Sequence, residues 1–227
     1  MEKAETGQRA ERSRAYGPIP RPSATRPMEG HTMPLKLNVI IASTRPGRAG
    51  PPVANWAYQF ARDKAQFDVE LVDLADFALP LLDEAAHPSL MKYEHEHTKR
   101  WSQSVTSADA FLFVTPEYDY FAPAALVNAI QFLFHEWAYK PAAIVSYGGI
   151  SGGLRASQVL RQLLGNVNVM ALNQPVSVSF FTQLIGEDGV FKPSKQTVAG
   201  MDTLHTELHK WAVALKPMRA PKADQTP

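Results

Sequence analysis

The sequence contains no cysteine. Disulfides, thiolate metal sites and a cysteine nucleophile are therefore excluded. No apolar run approaches the ~20 residues that span a bilayer, and no basic start leads into an apolar signal core. An excess of one charge is missing as well. With 23 Lys and Arg against 22 Asp and Glu, no strong field argues for nucleic acid or a membrane surface as partner. Apolar and charged fractions of 45% and 20% are those of an ordinary globular protein, expected to be cytoplasmic. At 227 residues the chain can bury a full hydrophobic core. No internal repeat is present.

What is there begins with a contrast. Residues 1–33 are rich in Arg, Pro, Gly, Ser and Glu, with few large aliphatics and no period. Such composition cannot offset its own ordering entropy, so a disordered extension is expected. Residues 34–216 are expected to form one domain and 217–227 a flexible tail that frays after Pro217. Within the domain, apolar β-branched runs at 37–42, 69–74, 110–114, 142–146 and 167–171 alternate with helical patterns at 52–64, 92–108, 123–137, 152–164 and 194–216. An α/β fold follows, with a five-stranded parallel sheet covered on both faces. Residues 75–91 read as a long loop, and 176–181 as part of an excursion near the end of strand five. The 123–137 helix is apolar nearly all round, through Leu126, Val127, Ile130, Phe132, Leu133, Phe134 and Trp137. That pattern suits a helix buried deeply or shared with a partner, and a homodimer, or a dimer of dimers, through this helix is expected.

In such sheets ligands sit beyond the carboxyl ends of the strands, where strand order reverses. The loops after strands one, three and four are therefore the candidates. The first carries Ser43, Thr44, Arg45 and Arg48 ahead of a helix start, a combination suited to an anion such as phosphate. It lacks both the Gly-Lys-Ser/Thr ending of a nucleotide P-loop and the Gly-x-Gly-x-x-Gly spacing of dinucleotide folds. A basic surface turn explains the same residues. In the second loop, Pro116, Glu117, Tyr118 and Asp119 combine a rigid turn with flat apolar surface for a planar heterocycle. A capped turn ahead of the Pro123 helix explains it equally well. The third loop, from Ser146, Tyr147, Gly148 and Gly149 to Gly152-Gly153, lets backbone N–H groups approach a ligand closely.

Gly149-Ile150-Ser151-Gly152-Gly153 also matches the Gly-x-Ser-x-Gly nucleophile elbow, with Asp188 or Asp202 and His205 or His209 following in order. A hydrolase using Ser151 leaves the arginine loop without a role. His95 and His97, two apart, do not share a helix face, and around His205 and His209 the Glu of a zincin motif is misplaced. No metal is expected.

Together, Ile41-Ala42-Ser43-Thr44-Arg45-Pro46-Gly47-Arg48, Thr115-Pro116-Glu117-Tyr118-Asp119 and Ser146-Tyr147-Gly148-Gly149 with Gly152-Gly153 resemble the NADPH-dependent FMN reductase family. The resemblance covers about residues 35–211 and implies a flavodoxin-like three-layer sandwich that binds FMN. It implies Ser43, Arg45 and Arg48 on the flavin phosphate, and Pro116-Glu117-Tyr118-Asp119 along the isoalloxazine and ribityl side. Ser146, Tyr147 and Gly148 fall at the ring's other edge. Asn128-Ala129-Ile130 resembles the family's helix segment through which members pair. Ala42 stands where the family has Gly, Asp119 where it has Asn, and Val127 and Gln131 flank the helix segment in place of Lys and Asp. The implied activity is hydride transfer from NADPH or NADH through FMN to a small acceptor such as a quinone, with no catalytic side chain because the flavin carries the chemistry. An electron carrier without nicotinamide chemistry and a flavin-less interaction module are the remaining alternatives.

Overall fold

Alternating side chains on the central strands decide the architecture. In the computed structural model, which describes residues 34–219, β1 (Lys36–Ile41), β3 (Ala110–Pro116) and β4 (Pro141–Gly148) form the middle of a parallel sheet. Leu37, Val39, Ile41, Leu112, Val114, Ala143, Val145 and Tyr147 point to one face, covered by α1 (Gly50–Asp63) and α5 (Lys195–Leu215). Ile40, Phe111, Phe113, Ala142 and Ile144 point to the other, covered by α2 (Glu96–Ser107), α3 (Ala124–Gln131) and α4 (Leu154–Asn166). With both faces buried, the strands carry no polar side. The three-layer sandwich is therefore as expected.

The strand order is β2-β1-β3-β4-β5, with β2 at Asp68–Asp73, and the order reverses between β1 and β3. The fifth position differs from the single expected strand. Its outer edge is shared by β5 (Met170–Ala171), paired with Pro141 and Ala142, and β6 (Val176–Ser179), paired with Val145–Gly148. Pro175, which has no N–H to give a ladder, stands just ahead of the second piece. What reads as an excursion is thus the continuation of the sheet edge.

Other boundaries shift for identifiable reasons. Helix α2 begins at Glu96 rather than 92, because the Glu84 carboxylate accepts from the N–H groups of Glu94 (2.8 Å) and His95 (3.1 Å) and holds them outside the helix. The loop before it contains short 3-10 turns at Leu74–Phe77 and Pro88–Leu90. The expected 123–137 helix stops at Gln131 and resumes as a 3-10 turn at His135–Trp137. The break lets Glu136 bury its carboxylate against Tyr93, Ser102 and the Phe134 N–H, and lets Trp137 donate to the Ile130 carbonyl at 3.1 Å. Its apolar residues Leu126, Ile130, Phe132, Leu133 and Trp137 lie in this chain's own core. The run is apolar all round because the chain folds back on itself there.

At the C-terminal end, Lys216–Arg219 is a 3-10 turn in place of the expected fraying after Pro217. Arg219 pairs with Asp109 and donates to the Tyr139 carbonyl at 3.0 Å, which ties the turn to the sheet's amino end. The extension expected at 1–33 and the rest of the tail, 220–227, lie outside the described residues.

Candidate functional site

The carboxyl ends of β1, β3 and β4 converge on a cleft of about 360 Å³ lined by Arg45, Arg48, Pro116, Tyr118, Gly148 and Gly149, among others. The three loops singled out from the sequence therefore meet. Several of their side chains have work other than the expected one.

In the first loop, Gly47 at φ +68 makes the tight turn, and Arg48 N–H donates to the Arg45 carbonyl at 3.1 Å. Parallel register sets Ile41 beside Asp73. The Arg48 guanidinium therefore reaches the Asp73 carboxylate with both nitrogens, one at 2.7 Å, and also donates to the Ser43 carbonyl. Hydrogen bonding to Asp73 raises the Arg48 pKa further above its ordinary value. Arg48 thus braces the loop through Asp73 while still lining the cleft. Ser43 is fully buried, its hydroxyl 3.4 Å from that of Tyr147, so it too is a strut of the loop. Arg45 is exposed, makes no ion pair among the described residues, and stands over the Tyr118 ring at 5.6 Å. Thr44 is exposed beside it. The free cation of the loop is Arg45.

The helix start contributes less than a generic one. Pro51 and Pro52 follow Gly50 at the head of α1, and they remove two of the N–H groups that a helix N-terminus leaves unpaired. An anion here depends on the loop's own N–H groups and on Arg45.

In the second loop, Glu117 lines the cleft, and its carboxylate is taken up by donors on the loop after β4 and on α4. It accepts from the Ser151 hydroxyl (2.8 Å), the N–H groups of Arg155 (3.1 Å) and Ala156 (3.3 Å), and the Arg155 guanidinium (3.0 Å). Burial alone would raise its pKa. The bonds from Ser151, Ala156 and Arg155, with the Arg155 charge, outweigh that and hold it below the ordinary carboxylate value. Glu117 thus caps α4 from a distance, a partner different from the Pro123 helix that the turn precedes in sequence. Beyond it, Tyr118 and Phe121 exchange backbone bonds of 2.9 Å around Asp119 (φ 47) and Tyr120 (φ 75). Two positive φ values make this a hairpin-type turn, and Asp, like Asn, tolerates the left-handed region. Asp119 points to the turn's backbone requirement, which explains why either residue serves there. Arg155 also covers the Tyr120 ring at 4.0 Å, so one guanidinium joins the turn to α4.

In the third loop, Ser146 is buried and donates to the Gly152 carbonyl at 2.9 Å, which holds the glycine turn against β4. Tyr147, one residue on, points to the α1 and α5 face of the sheet, packs on Phe181 at 4.7 Å and lines the cleft beside it. Gly148 and Gly149 line the open side of the cleft. A Cβ built on Gly149 meets nothing within 4 Å, so its open side is space for a ligand. Phe181 and Thr182 also line the cleft, carried there by β6 and the 3-10 turn Phe181–Leu184. Sequence reading missed them; the aromatic pair Phe180-Phe181 directly after the Val176/Val178 alternation was the available signal.

Ser151 has its hydroxyl on Glu117, and both sequence candidates for a base pack on Phe67, His205 at 5.4 Å and His209 at 5.2 Å. Among the described residues the Ser151 hydroxyl is hydrogen-bonded to a carboxylate and to the Gly153 N–H, with no bond to a histidine. His95 and His97 both approach Asp83, at 3.8 and 3.1 Å, on the loop and start of α2 away from the cleft. Among the described residues no cluster of three side chains is arranged to hold a metal, and no helix is long and apolar enough to cross a membrane.

A free arginine, an aromatic shelf and a glycine turn facing one cleft suit a flat ligand bearing a phosphate, and FMN fits that donor set. Comparisons with known proteins agree with this geometry. Residues 35–183 match the family model for NADPH-dependent FMN reductase. An NAD(P)H-dependent FMN reductase of Schizosaccharomyces pombe is 44% identical over 126 residues, a match covering 55% of this chain and 63% of that protein. A probable NADPH:quinone oxidoreductase of Oryza sativa is 32% identical over 160 residues, covering 65% and 74%. Among solved structures, the flavoenzyme NAD(P)H:(acceptor) oxidoreductase FerB of Paracoccus denitrificans superposes with a TM-score of 0.63 at 20% identity, over 80% of this chain and 98% of that one. That likeness is one of fold. With the family model matched across all three loops of the cleft, the chain belongs to the NADPH-dependent FMN reductase family.

Proposed function

We propose that this protein is an FMN-dependent oxidoreductase that takes hydride from NADPH or NADH and reduces a small, quinone-like acceptor. The observation that carries the reading is the meeting of Arg45, Tyr118 and the Gly148-Gly149 turn in one cleft at the switch point of the sheet. Relatives named as FMN and quinone reductases support it. FMN, when bound, supplies the hydride-accepting and electron-releasing chemistry. The chain's part is to bind and orient. Arg45 would hold the phosphate with charge-assisted bonds, and backbone N–H groups at Gly148 and Gly149 would face negative charge on the reduced ring. Tyr118 offers the ring a flat apolar neighbour. An electron carrier is not favoured: the relatives are named as NAD(P)H-dependent reductases, and the chain has no overall acidic excess.

The direct test is anaerobic addition of NADPH, then NADH, to the FMN-loaded protein. Bleaching of the flavin band is expected, with reoxidation on adding a quinone. A band unchanged by either nucleotide would refute the reading. Arg45→Ala is expected to weaken FMN binding roughly 10- to 100-fold, the worth of a hydrogen bond to a charged group, while the unfolding midpoint stays in place. Unchanged affinity would return Arg45 to a basic surface turn.

The proposed protein pairs as a cytoplasmic homodimer through the α3 face. Asn128 on that face grips the preceding loop, donating to the Pro80 carbonyl at 2.6 Å and accepting from Leu82 N–H at 3.0 Å. It thereby presents Leu81, 83% exposed, beside the helix. Sedimentation of Leu81→Glu is expected to show monomer where the unaltered chain shows dimer.

A further inference from the structure

Gly50 opens α1, a position where glycine is a poor helix former and two prolines follow. Its presence has a local cause. A Cβ at Gly50 would lie 2.8 Å from Ser43 Oγ and closer still to Tyr147 Oη, with Tyr147 Cζ at 3.2 Å. The two hydroxyls, 3.4 Å apart, fill the space beneath the helix start where any other residue would place its side chain. Tyr147 arrives there by strand parity. It shares the α1 and α5 face with Ala143 and Val145, and is pinned from behind by the Phe181 ring at 4.7 Å. Burial pushes its phenol up to about 12, so it stays a neutral hydroxyl. Ser43 is thereby held at both ends: its carbonyl accepts from Arg48, itself locked to Asp73, and its hydroxyl meets Tyr147.

We propose that Tyr147 is a positioning residue for the anion loop, packed through Ser43 and Gly50, and that it sets the preference for phosphorylated flavin over riboflavin. This rests on the FMN reading above and moves Tyr147 from the ring's edge to the base of the phosphate site. Its physical basis is preorganisation. A loop already fixed in its binding conformation loses less freedom when it closes on a dianion, and the benefit falls only on ligands that carry the phosphate.

The test compares binding of FMN and riboflavin by flavin fluorescence quenching. Tyr147→Phe is expected to raise the FMN dissociation constant roughly three- to tenfold, the range of a lost neutral hydrogen bond, and to leave riboflavin unchanged. Gly50→Ala, which drives a methyl into the hydroxyl pair, is expected to weaken FMN selectively as well. Because Tyr147→Phe removes the nearest of the atoms that a Cβ at Gly50 would strike, the two substitutions combined should cost less than the sum of their separate effects. Equal losses for both flavins in Tyr147→Phe would place the residue at the ring and overturn the proposal. So would FMN affinity that does not change, or strictly additive effects. An unaltered protein that binds neither flavin would overturn the functional reading itself, and that outcome is separate from the others.

Discussion

Replacing Glu117 with glutamine is expected to lower the stability of the domain by about 2–4 kcal/mol, the usual penalty for removing one partner of a buried charged network. The side chain is only 8% exposed and takes bonds from the Ser151 hydroxyl, two backbone N–H groups of α4 and the Arg155 guanidinium. Glutamine keeps the shape but turns one acceptor into a donor facing donors. For a domain of this size the midpoint should fall roughly 5–15 °C. The loss also has a functional arm. Glu117 ties the loop after β3 to the glycine loop after β4, two walls of the cleft, so FMN affinity should fall with stability. Ser151→Ala removes a single donor and is expected to cost only about 1 kcal/mol, with reductase turnover kept. Thermal melts with flavin titrations of the two variants check the ordering. Equal effects would mean that Ser151, not the helix N–H groups, is the principal partner of Glu117.

How far the sequence reaches can be judged from the same residues. The sheet was legible because β1, β3 and β4 are buried on both faces, and buried parallel strands announce themselves as unbroken apolar runs. The site's location was legible because the switch-point rule depends on topology alone, which follows from the alternation. Side-chain assignments were less so. Whether Arg48 is free depends on which carboxylate stands beside it, and that is set by the Ile41–Asp73 register, a relation between strands distant in sequence. The hydrogen bonds of Glu117 were equally hidden, because its donors lie on α4, beyond the next strand. Tyr147 differs: strand parity with Ala143 and Val145 places it on the face opposite Ser146, and it lines the cleft from there. The length of α3 was not legible because the break after Gln131 depends on Glu136 finding Tyr93 and Ser102, partners distant in sequence.

His205 supplies the other large effect, and it concerns pH. It lies on α5, 2% exposed, with neither ring nitrogen hydrogen-bonded, edge-on to Phe67 at 5.4 Å and Phe60 at 6.2 Å. Burial, aided by the positive neighbours His209 and Lys64 and opposed by Asp202, lowers its pKa from 6.5 to about 4. The folded form therefore holds this imidazole neutral at pH values where the unfolded chain has already protonated it. Above pH 6.5 the residue contributes no pH dependence. As pH falls from 6.5 toward 4, only the unfolded state gains the proton, so stability drops by up to about 3 kcal/mol and then levels off. Other groups with shifted pKa values add their own slopes, so the difference between two proteins is the cleaner measure. His205→Leu fills a similar volume without polar atoms, and at pH 7 it should match or exceed the unaltered protein, since unpartnered ring nitrogens are removed. By pH 4.5 its advantage should have grown by roughly 2–3 kcal/mol. Urea unfolding of both proteins between pH 7 and 4.5 measures this directly. Parallel stability profiles would show that the imidazole finds a proton acceptor in the folded state, and that the packing of α5 on α1 does not sense acid through His205.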